Sequence, residues 1–396
     1  MSTIDPKIYL AVDNCFASKR WTEPAEWMDV ISSLGLYYVE ASADTECDPL
    51  YMGSDYMKRW SDKVNSASEN TGVKVANLYS GHGTYATLGL AHTDSEVRNR
   101  FLNDWLKPMC NAASSVNAGL GFFCHAFSDS VLQCPERYNE FVNNLFDSLA
   151  ELAAFADSCG CRPIGVEQMY SPHQIPWTVS GARTLINEVV KRSGNAPFYI
   201  TVDVGHQSGQ RKFIRPDREA VKNAVEKFRN GDPLPSLWLG SKKAFDIFEY
   251  SDFSIEETAD LIDAEMDKYP YMFAKYDDGD TYNWLSKLGC YSPIIHLQQT
   301  NGVSSSHLPF TKECNEKGII TGEKVLKALS DAYNQPDDTS MPAKPDSVYL
   351  TLEMFTGTAD INRAALLRMR ESADYWRRFV PEDGMKLSEL LGRIEK

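Results

Sequence analysis

Residues 198–206 read FYITVDVGH, an apolar, β-rich run that ends in an acid and an imidazole. A run of this kind, followed by a polar loop and a helical pattern, is typical of a βαβ unit in a parallel sheet. Similar runs begin near Ile8, Leu36, Val73, Gly119, Pro163, Pro293 and Val348. Amphipathic segments separate them at 24–34, 94–118, 137–158, 179–192, 322–333 and 361–379. The pattern predicts eight parallel strands with helices between them.

Eight such strands close naturally into a (β/α)8 TIM barrel, and barrels run from about 200 to over 400 residues. The 396 residues of this chain are therefore predicted to form a single barrel, 1–396. A doubly wound open sheet is the alternative. It is disfavoured because no G-x-G-x-x-G motif follows the first strand to bind a dinucleotide.

One connection is unusually long, because about ninety residues separate Asp203 from His296. Helical patterns at 217–229 and 254–269 lie within it. We interpret 207–285 as an insertion between strands 6 and 7, and expect it to lie over the mouth of the barrel as a lid or a dimer arm. A surface excursion without function is an equal alternative.

The charge balance narrows the possible partners. The chain has 40 Lys and Arg against 55 Asp and Glu, a formal net charge of −15. Nucleic acid is disfavoured as a partner because phosphate backbones require a positive surface. No apolar stretch is long enough for a membrane span, and the amino terminus has no signal pattern, so we expect a cytoplasmic protein. Nine cysteines, including Cys159 and Cys161, are expected to be reduced thiols.

Polar residues at strand ends are the candidate functional residues, since TIM-barrel active sites lie at that face. They are Glu40, His82, His125, Glu167, Asp203, His206, His296 and Glu353. Glu167, Asp203, His296 and Glu353 come from the last four strands, which form one arc of a closed barrel. Three carboxylates and one imidazole suit Mn²⁺, Mg²⁺ or Co²⁺, with Zn²⁺ also possible. The alternative is that each acid is separately salt-bridged or solvated.

Four short motifs in order carry a family resemblance: VEQ at 166–168, VDVGH at 202–206, IHLQQT at 295–300 and LEMF at 352–355. Together they resemble the sugar isomerase and ketose 3-epimerase family of xylose-isomerase-like barrels. The resemblance implies one divalent metal, with Mn²⁺ preferred, held by Glu167, Asp203, His296 and Glu353. It also implies a homo-oligomer, a dimer or a tetramer.

The segment HLQQT at 296–300, followed by HLPF at 307–310, is similar to the corresponding loop of ketose-phosphate 3-epimerases. Free-ketose 3-epimerases carry an acid and then an Arg after the His ligand, where this chain has Gln298, Gln299 and Thr300. The run of Ser304, Ser305 and Ser306 with His307 offers hydroxyls, amides and an imidazole that could instead hold a phosphate.

The expected activity is metal-dependent 3-epimerisation of a small ketose phosphate, a tetrulose or pentulose phosphate, through an enediolate. Glu167 and Glu353 are the expected catalytic acid and base on opposite faces of the substrate. The resemblance implies that His206 contacts the substrate, and Glu40 is expected to orient a ligand or pair with a cation. The remaining expected substrate contacts are His82, His125, Trp177, Gln298 and His307.

Other functions stay open at this point. The same enediolate could expel a β-hydroxyl, as in inosose dehydration, or the substrate could be a free ketose. A sugar-binding barrel without catalysis is the non-enzymatic alternative. Phosphodiester hydrolysis is disfavoured by the acidic charge and by too few His and Asp for a three-metal cluster.

Overall fold

The computed structural model describes residues 4–17, 19–80, 87–233 and 236–394. Its centre is a closed barrel of eight parallel strands in sequence order, in which the last strand pairs with the first and the first with the second. The strands are β1 (Lys7–Asp13), β2 (Tyr38–Ser42), β3 (Lys74–Ser80), β4 (Gly119–Phe122), β5 (Ile164–Glu167), β6 (Tyr199–Asp203), β7 (Ile294–Leu297) and β8 (Ser347–Leu352). The predicted (β/α)8 TIM barrel is confirmed.

A short ninth strand and seventeen helices complete the described fold. Strand β9 (Met385–Lys386) pairs antiparallel with β1. The helices are α1 (Pro24–Ser33), α2 (Ala43–Glu46), α3 (Ser54–Thr71), α4 (Ser95–Arg100), α5 (Lys107–Ser115), α6 (Asp129–Leu132), α7 (Pro135–Cys159), α8 (Val179–Arg192), α9 (Gln207–Gln210), α10 (Arg218–Arg229), α11 (Lys242–Tyr250), α12 (Ile255–Met266), α13 (Thr281–Leu288), α14 (Lys312–Lys317), α15 (Gly322–Tyr333), α16 (Asn362–Arg377) and α17 (Leu387–Ile394). A π-helical turn, Phe101–Leu106, joins α4 to α5.

The helices pack on the barrel through large apolar side chains. Trp27, Trp105, Trp284 and Trp376 lie on four different helical segments, and each is fully buried. Burying a side chain of this size contributes on the order of 1.5–3 kcal/mol or more. The core between helices and strands therefore fixes the barrel on which the strand-end residues are mounted.

Strand register brings the candidate ligands to one end of the barrel. Asp203 is paired with His296 across β6 and β7. The backbone N–H of Glu353, the residue after β8, donates to the carbonyl of Leu297 at 3.0 Å. Glu167 is the last residue of β5. All of these positions are at carboxyl ends of parallel strands, which is the functional face of the fold.

The long connection after β6 has its own small helical layer. Helices α10 and α11 both pack on α12, and α13 returns to pack against α8 and α15. Two hydrogen bonds join this layer to the segment around α6. In the first, the hydroxyl of Tyr271 donates to the carbonyl of Leu132 at 2.7 Å. The N–H of Lys242 also donates to the side-chain oxygen of Gln133 at 2.9 Å.

The state of the cysteines and the hydropathy of the helices complete the description of the fold. All nine cysteines are free thiols. No helix in the described part of the chain is both long enough and apolar enough to cross a membrane.

Candidate metal centre and active-site cavity

Four side chains meet at the carboxyl end of the barrel. One ligand atom from each of Glu167, Asp203, His296 and Glu353 lies within 4.8 Å of every other, and all four residues are buried. They come from or directly follow β5, β6, β7 and β8. The structure thus places together the same four residues that the sequence singled out from the strand ends.

Asp203 is held in place by neutral donors. Its Oδ1 accepts hydrogen bonds from the backbone N–H groups of Gly205 at 2.6 Å and His206 at 3.1 Å. The Gln298 amide donates to Oδ1 and Oδ2 at 2.8 and 3.0 Å. A Cβ on residue 205 would lie 2.4 Å from the Gln298 amide carbon, so a larger residue than Gly205 would displace the amide that holds Asp203. These contacts orient the carboxylate without neutralising its charge.

His296 lies between two sets of carboxylates. Its Nδ1 is 2.9 Å from Oε1 of Glu167 and 3.3 Å from Oε2 of Glu353, while its Nε2 is 2.7 Å from Oε2 of Glu40. Glu40 in turn accepts a hydrogen bond from the Asn77 amide at 2.6 Å. This geometry directs Nδ1 of His296 toward the centre of the four-residue cluster. It leaves the N–H group at Nε2 to donate to Glu40. A carboxylate behind a ligating imidazole fixes its tautomer and orientation.

The charge balance of the protein groups is unfavourable. Burial disfavours the imidazolium, yet the charges of Glu40, Glu353 and Glu167 together raise the pKa of His296 well above its usual range. Burial raises the pKa of Asp203. Burial also acts to raise the pKa of Glu353, but His296 and a second imidazole, His307, hold it well below its usual range. Four buried carboxyls, those of Glu40, Glu167, Asp203 and Glu353, therefore share only the positive charge that His296 and His307 can carry.

This donor set fits a divalent cation. Hard oxygen ligands with one imidazole are typical of Mn²⁺ and Mg²⁺ sites. Oε2 of Glu353 is a buried oxygen without a hydrogen-bond partner among the described residues. The nitrogens nearest to this oxygen are Nδ1 of His296 at 3.3 Å and Nδ1 of His307 at 3.4 Å, and a bound cation would give it a closer partner.

A cavity of about 310 Å³ opens above the cluster. Glu167 and Glu353 line its floor with Tyr79, and Tyr170 and Phe355 form apolar walls. A volume near 300 Å³ is at the lower end for small-molecule sites and suits a compact ligand. Carboxylates thus face a space of substrate size.

Two predicted substrate contacts line this cavity, His206 and His307. Nδ1 of His206 is 2.7 Å from the backbone carbonyl of Gln168. The other ring nitrogen of His206, Nε2, therefore points away from that carbonyl. The His307 ring stacks on Phe355 with centroids 4.0 Å apart, and its Nδ1 is 3.4 Å from Oε2 of Glu353. Burial disfavours its charged form, but Glu353 raises the pKa of His307 to about 9.

Tyr79 lines the cavity but was not identified from the sequence as a candidate functional residue. Its hydroxyl donates to Oε2 of Glu167, and its ring stands edge-on to His296 with centroids 4.9 Å apart. Burial and the nearby charges of Glu167 and Glu353 raise the pKa of Tyr79 well above its usual range, so it stays protonated and donates. The available signal was its place at the carboxyl end of β3.

Three other predicted contacts have different positions. His82 lies outside the described residues. His125 is buried between Phe101 and Phe123, with ring centroids 4.9 and 4.5 Å away, and burial lowers its pKa to about 3. Trp177 is buried and packs edge-on against Phe213. Neither His125 nor Trp177 is among the described residues that line the cavity.

Comparison with known proteins agrees with this architecture. A sequence profile described as xylose isomerase-like TIM barrel matches residues 28–234. This match covers more than half of the chain, which therefore belongs to the xylose isomerase-like TIM-barrel family.

Individual relatives are more distant. The chain is 22% identical over 279 residues to D-erythrulose 1-phosphate 3-epimerase of Brucella abortus (strain 2308), covering 69% of this chain and 68% of that protein. A putative xylose isomerase from Rhodospirillum rubrum ATCC 11170 superposes with a TM-score of 0.66 at 18% identity, covering 94% of this chain and 99% of the other. D-psicose 3-epimerase from Clostridium cellulolyticum H10 gives a TM-score of 0.55 at 12% identity, with 94% and 98% covered. The two structures show the shared fold, and the family and the sequence relative support the prediction of an isomerase-type sugar enzyme.

Mn²⁺ is expected to raise the thermal unfolding midpoint of the protein, because a ligand bound by the folded state stabilises it by about 2.7 kcal/mol at 100 times its Kd. Glu353→Gln should greatly reduce this shift by removing one charge from the cluster. Glu265→Gln, which changes a buried acid paired with Lys268 elsewhere, should keep the full shift. Differential scanning calorimetry with Mn²⁺, Mg²⁺ or Co²⁺ provides the measurement. No shift of the unmodified protein with any of the three ions would contradict the site.

Glu40→Gln is expected to weaken Mn²⁺ binding about 10–100-fold, the usual cost of losing a carboxylate behind a ligating imidazole. Titration calorimetry measures the affinity directly. The control is Glu46→Gln, since Glu46 is a half-buried acid bonded to Trp27 and Trp60 rather than to His296. Equal affinities for Glu40→Gln and the unmodified protein would show that Glu40 does not orient the ligand.

Proposed function

We propose that this chain is a metal-dependent 3-epimerase of a small ketose phosphate, a tetrulose or pentulose phosphate. The observation that carries the proposal is the buried cluster of Glu167, Asp203, His296 and Glu353 at the floor of a cavity of substrate size. Membership in the xylose isomerase-like TIM-barrel family supports the assignment as a sugar isomerase or epimerase. The relative named D-erythrulose 1-phosphate 3-epimerase supports the choice of a phosphorylated ketose.

In this proposal the four clustered residues hold one divalent metal, with Mn²⁺ preferred. A bound divalent cation supplies Lewis-acid stabilisation for the oxyanion that develops when a carbon next to a ketone loses its proton. Asp203 and His296 serve as ligands only, because their remaining polar atoms are committed to Gln298 and Glu40. Glu167 and Glu353 are therefore the two ligands that can also transfer protons.

Glu167 and Glu353 are suited to act on the two faces of one carbon. They follow β5 and β8, which are separated by two intervening strands, and both line the cavity floor. One carboxylate removes the proton from C3, and the other returns a proton to the opposite face, which inverts the carbon. The Tyr79 hydroxyl orients the Glu167 side chain by donating to Oε2.

The surrounding polar groups are assigned to binding and positioning. His206 and His307 line the cavity and can contact substrate hydroxyls. Gln298 bridges the two halves of the site, because its amide nitrogen donates to Asp203 and its oxygen accepts the N–H of His307 at 2.7 Å. Gln298 is fully buried and is not among the described residues that line the cavity, so we assign it to positioning and not to the expected contact with the substrate.

The proposal predicts incorporation of one solvent deuterium at C3 when a ketotetrose or ketopentose phosphate is incubated with the Mn²⁺-loaded protein in D₂O. Glu167→Gln and Glu353→Gln should each slow this exchange about 10²–10⁴-fold, the usual contribution of one acid–base group. NMR of the product carbons, at saturating Mn²⁺, makes the measurement. Glu265→Gln is the matched control and should exchange at the rate of the unmodified protein.

Other outcomes of that experiment identify other activities. Loss of water would assign the protein as a dehydratase, and deuterium at C1 would assign aldose–ketose isomerisation. Exchange with free ketoses in preference to their phosphates would assign a free-ketose 3-epimerase. No exchange with any ketose would leave sugar binding without catalysis and would refute the proposal.

A further inference from the structure

Lys212 is a cation that the metal cluster does not use. It follows the short helix α9 at the start of the insertion and lines the outer part of the active-site cavity. Its side chain is exposed, and within the described ranges it has no ion-pair or hydrogen-bond partner. Among the described lining residues it is the only lysine or arginine. Its charge is therefore available to a ligand.

The serine loop faces the same cavity. Ser304 and Ser305 both line it. The Ser305 hydroxyl accepts a hydrogen bond from the Gln298 amide nitrogen at 2.9 Å and donates to Oε1 of Gln298 at 3.3 Å, so these contacts fix the loop. The Ser304 hydroxyl shares a hydrogen bond only with that of Ser306, at 2.9 Å. Because either hydroxyl can be the donor in that bond, Ser304 can donate to a ligand in the cavity that Lys212 also lines.

A direct contact fixes these two segments beside each other. Arg211, the residue before Lys212, donates from Nη1 to the carbonyl of Gly302 at 3.0 Å and from Nε to the carbonyl of Gly279 at 2.7 Å. Because two of its N–H groups donate to backbone carbonyls of different segments, Arg211 serves as a brace. The insertion and the serine loop are therefore joined at the cavity mouth.

The cavity is polarised along its depth. Glu167 and Glu353 at the floor are buried, whereas Lys212 and Ser304 at the mouth are exposed. The whole chain carries a net charge of −15, so an anionic ligand needs a local cation to approach. A molecule with a ketone and hydroxyl at one end and an anion at the other matches this arrangement.

We propose that Lys212, with the hydroxyl group of Ser304, binds the phosphate of the substrate. This inference rests on the proposed epimerase function and assigns its specificity to a residue of the insertion. An ammonium group and a hydroxyl give charge-assisted hydrogen bonds to phosphate oxygens, which are stronger than neutral ones. The carbonyl end of the ketose is then directed to the floor.

The test compares a ketotetrose phosphate with the matching free ketotetrose as substrates of Mn²⁺-loaded protein. Lys212→Met should lower kcat/KM for the phosphorylated ketose at least about tenfold, chiefly through KM, and change that for the free ketose less than about twofold. Lys227→Met is the matched control, because Lys227 is an exposed lysine on α10 of the same insertion. It should behave like the unmodified protein with both substrates.

Inorganic phosphate provides a readout that does not depend on turnover. Calorimetry should show binding by the unmodified protein, an about tenfold weaker Kd for Lys212→Met and no change for Lys227→Met. If phosphate binding depends on Lys212 while no ketose is epimerised, the subsite stands and the proposed function fails. Absence of phosphate binding by the unmodified protein, or equal effects of Lys212→Met on both ketoses, overturns the subsite even if epimerisation is observed.

Discussion

Mutual repulsion of carboxylates around one imidazole is the constraint on which the rest of this structure depends. One oxygen from each of three acids, Glu167, Asp203 and Glu353, lies within 4.8 Å of a ring nitrogen of His296, and a fourth acid, Glu40, contacts its Nε2. Like charges in a buried space raise the free energy of the folded state unless a cation or protons offset them. The barrel tolerates this arrangement because each acid comes from a different rigid strand.

The residues behind the cluster form a consistent second layer. Asn77 holds Glu40, Gln298 holds Asp203, and Tyr79 holds Glu167. All three are neutral donors, so they orient carboxylates while leaving their negative charge in place. Such a layer is suited to keeping a cation-binding geometry rather than to replacing the cation.

Most of the fold could be predicted from the sequence. All eight barrel strands appear where β-rich runs alternate with helical patterns, and α8 and α15 occupy the predicted 179–192 and 322–333. Helix α3 was not identified, although Met57, Trp60 and Val64 form its buried stripe. Its remaining residues are mostly polar, and its start has no side-chain N-cap hydrogen bond to mark it. Periodicity is least informative for such helices.

The site was predictable where strands fix the side chains and less so in the loops. The four clustered residues lie within or directly beside strands, so the barrel alone determines their meeting. His125 and Trp177 follow their strands by several residues, and the loop backbone directs them elsewhere; His125 has a positive φ of 66°. Lys212 was not identified because its position depends on how the insertion folds back, which no local pattern reveals.

The central claim is that four strand ends bind one cation, and anomalous diffraction tests it most directly. Crystals grown with Mn²⁺ should show one strong anomalous peak at the manganese edge, about 2.0–2.6 Å from carboxylate oxygens of Glu167, Asp203 and Glu353 and from Nδ1 of His296. A fully ordered cluster without such a peak, or a peak bound elsewhere in the molecule, would contradict the account.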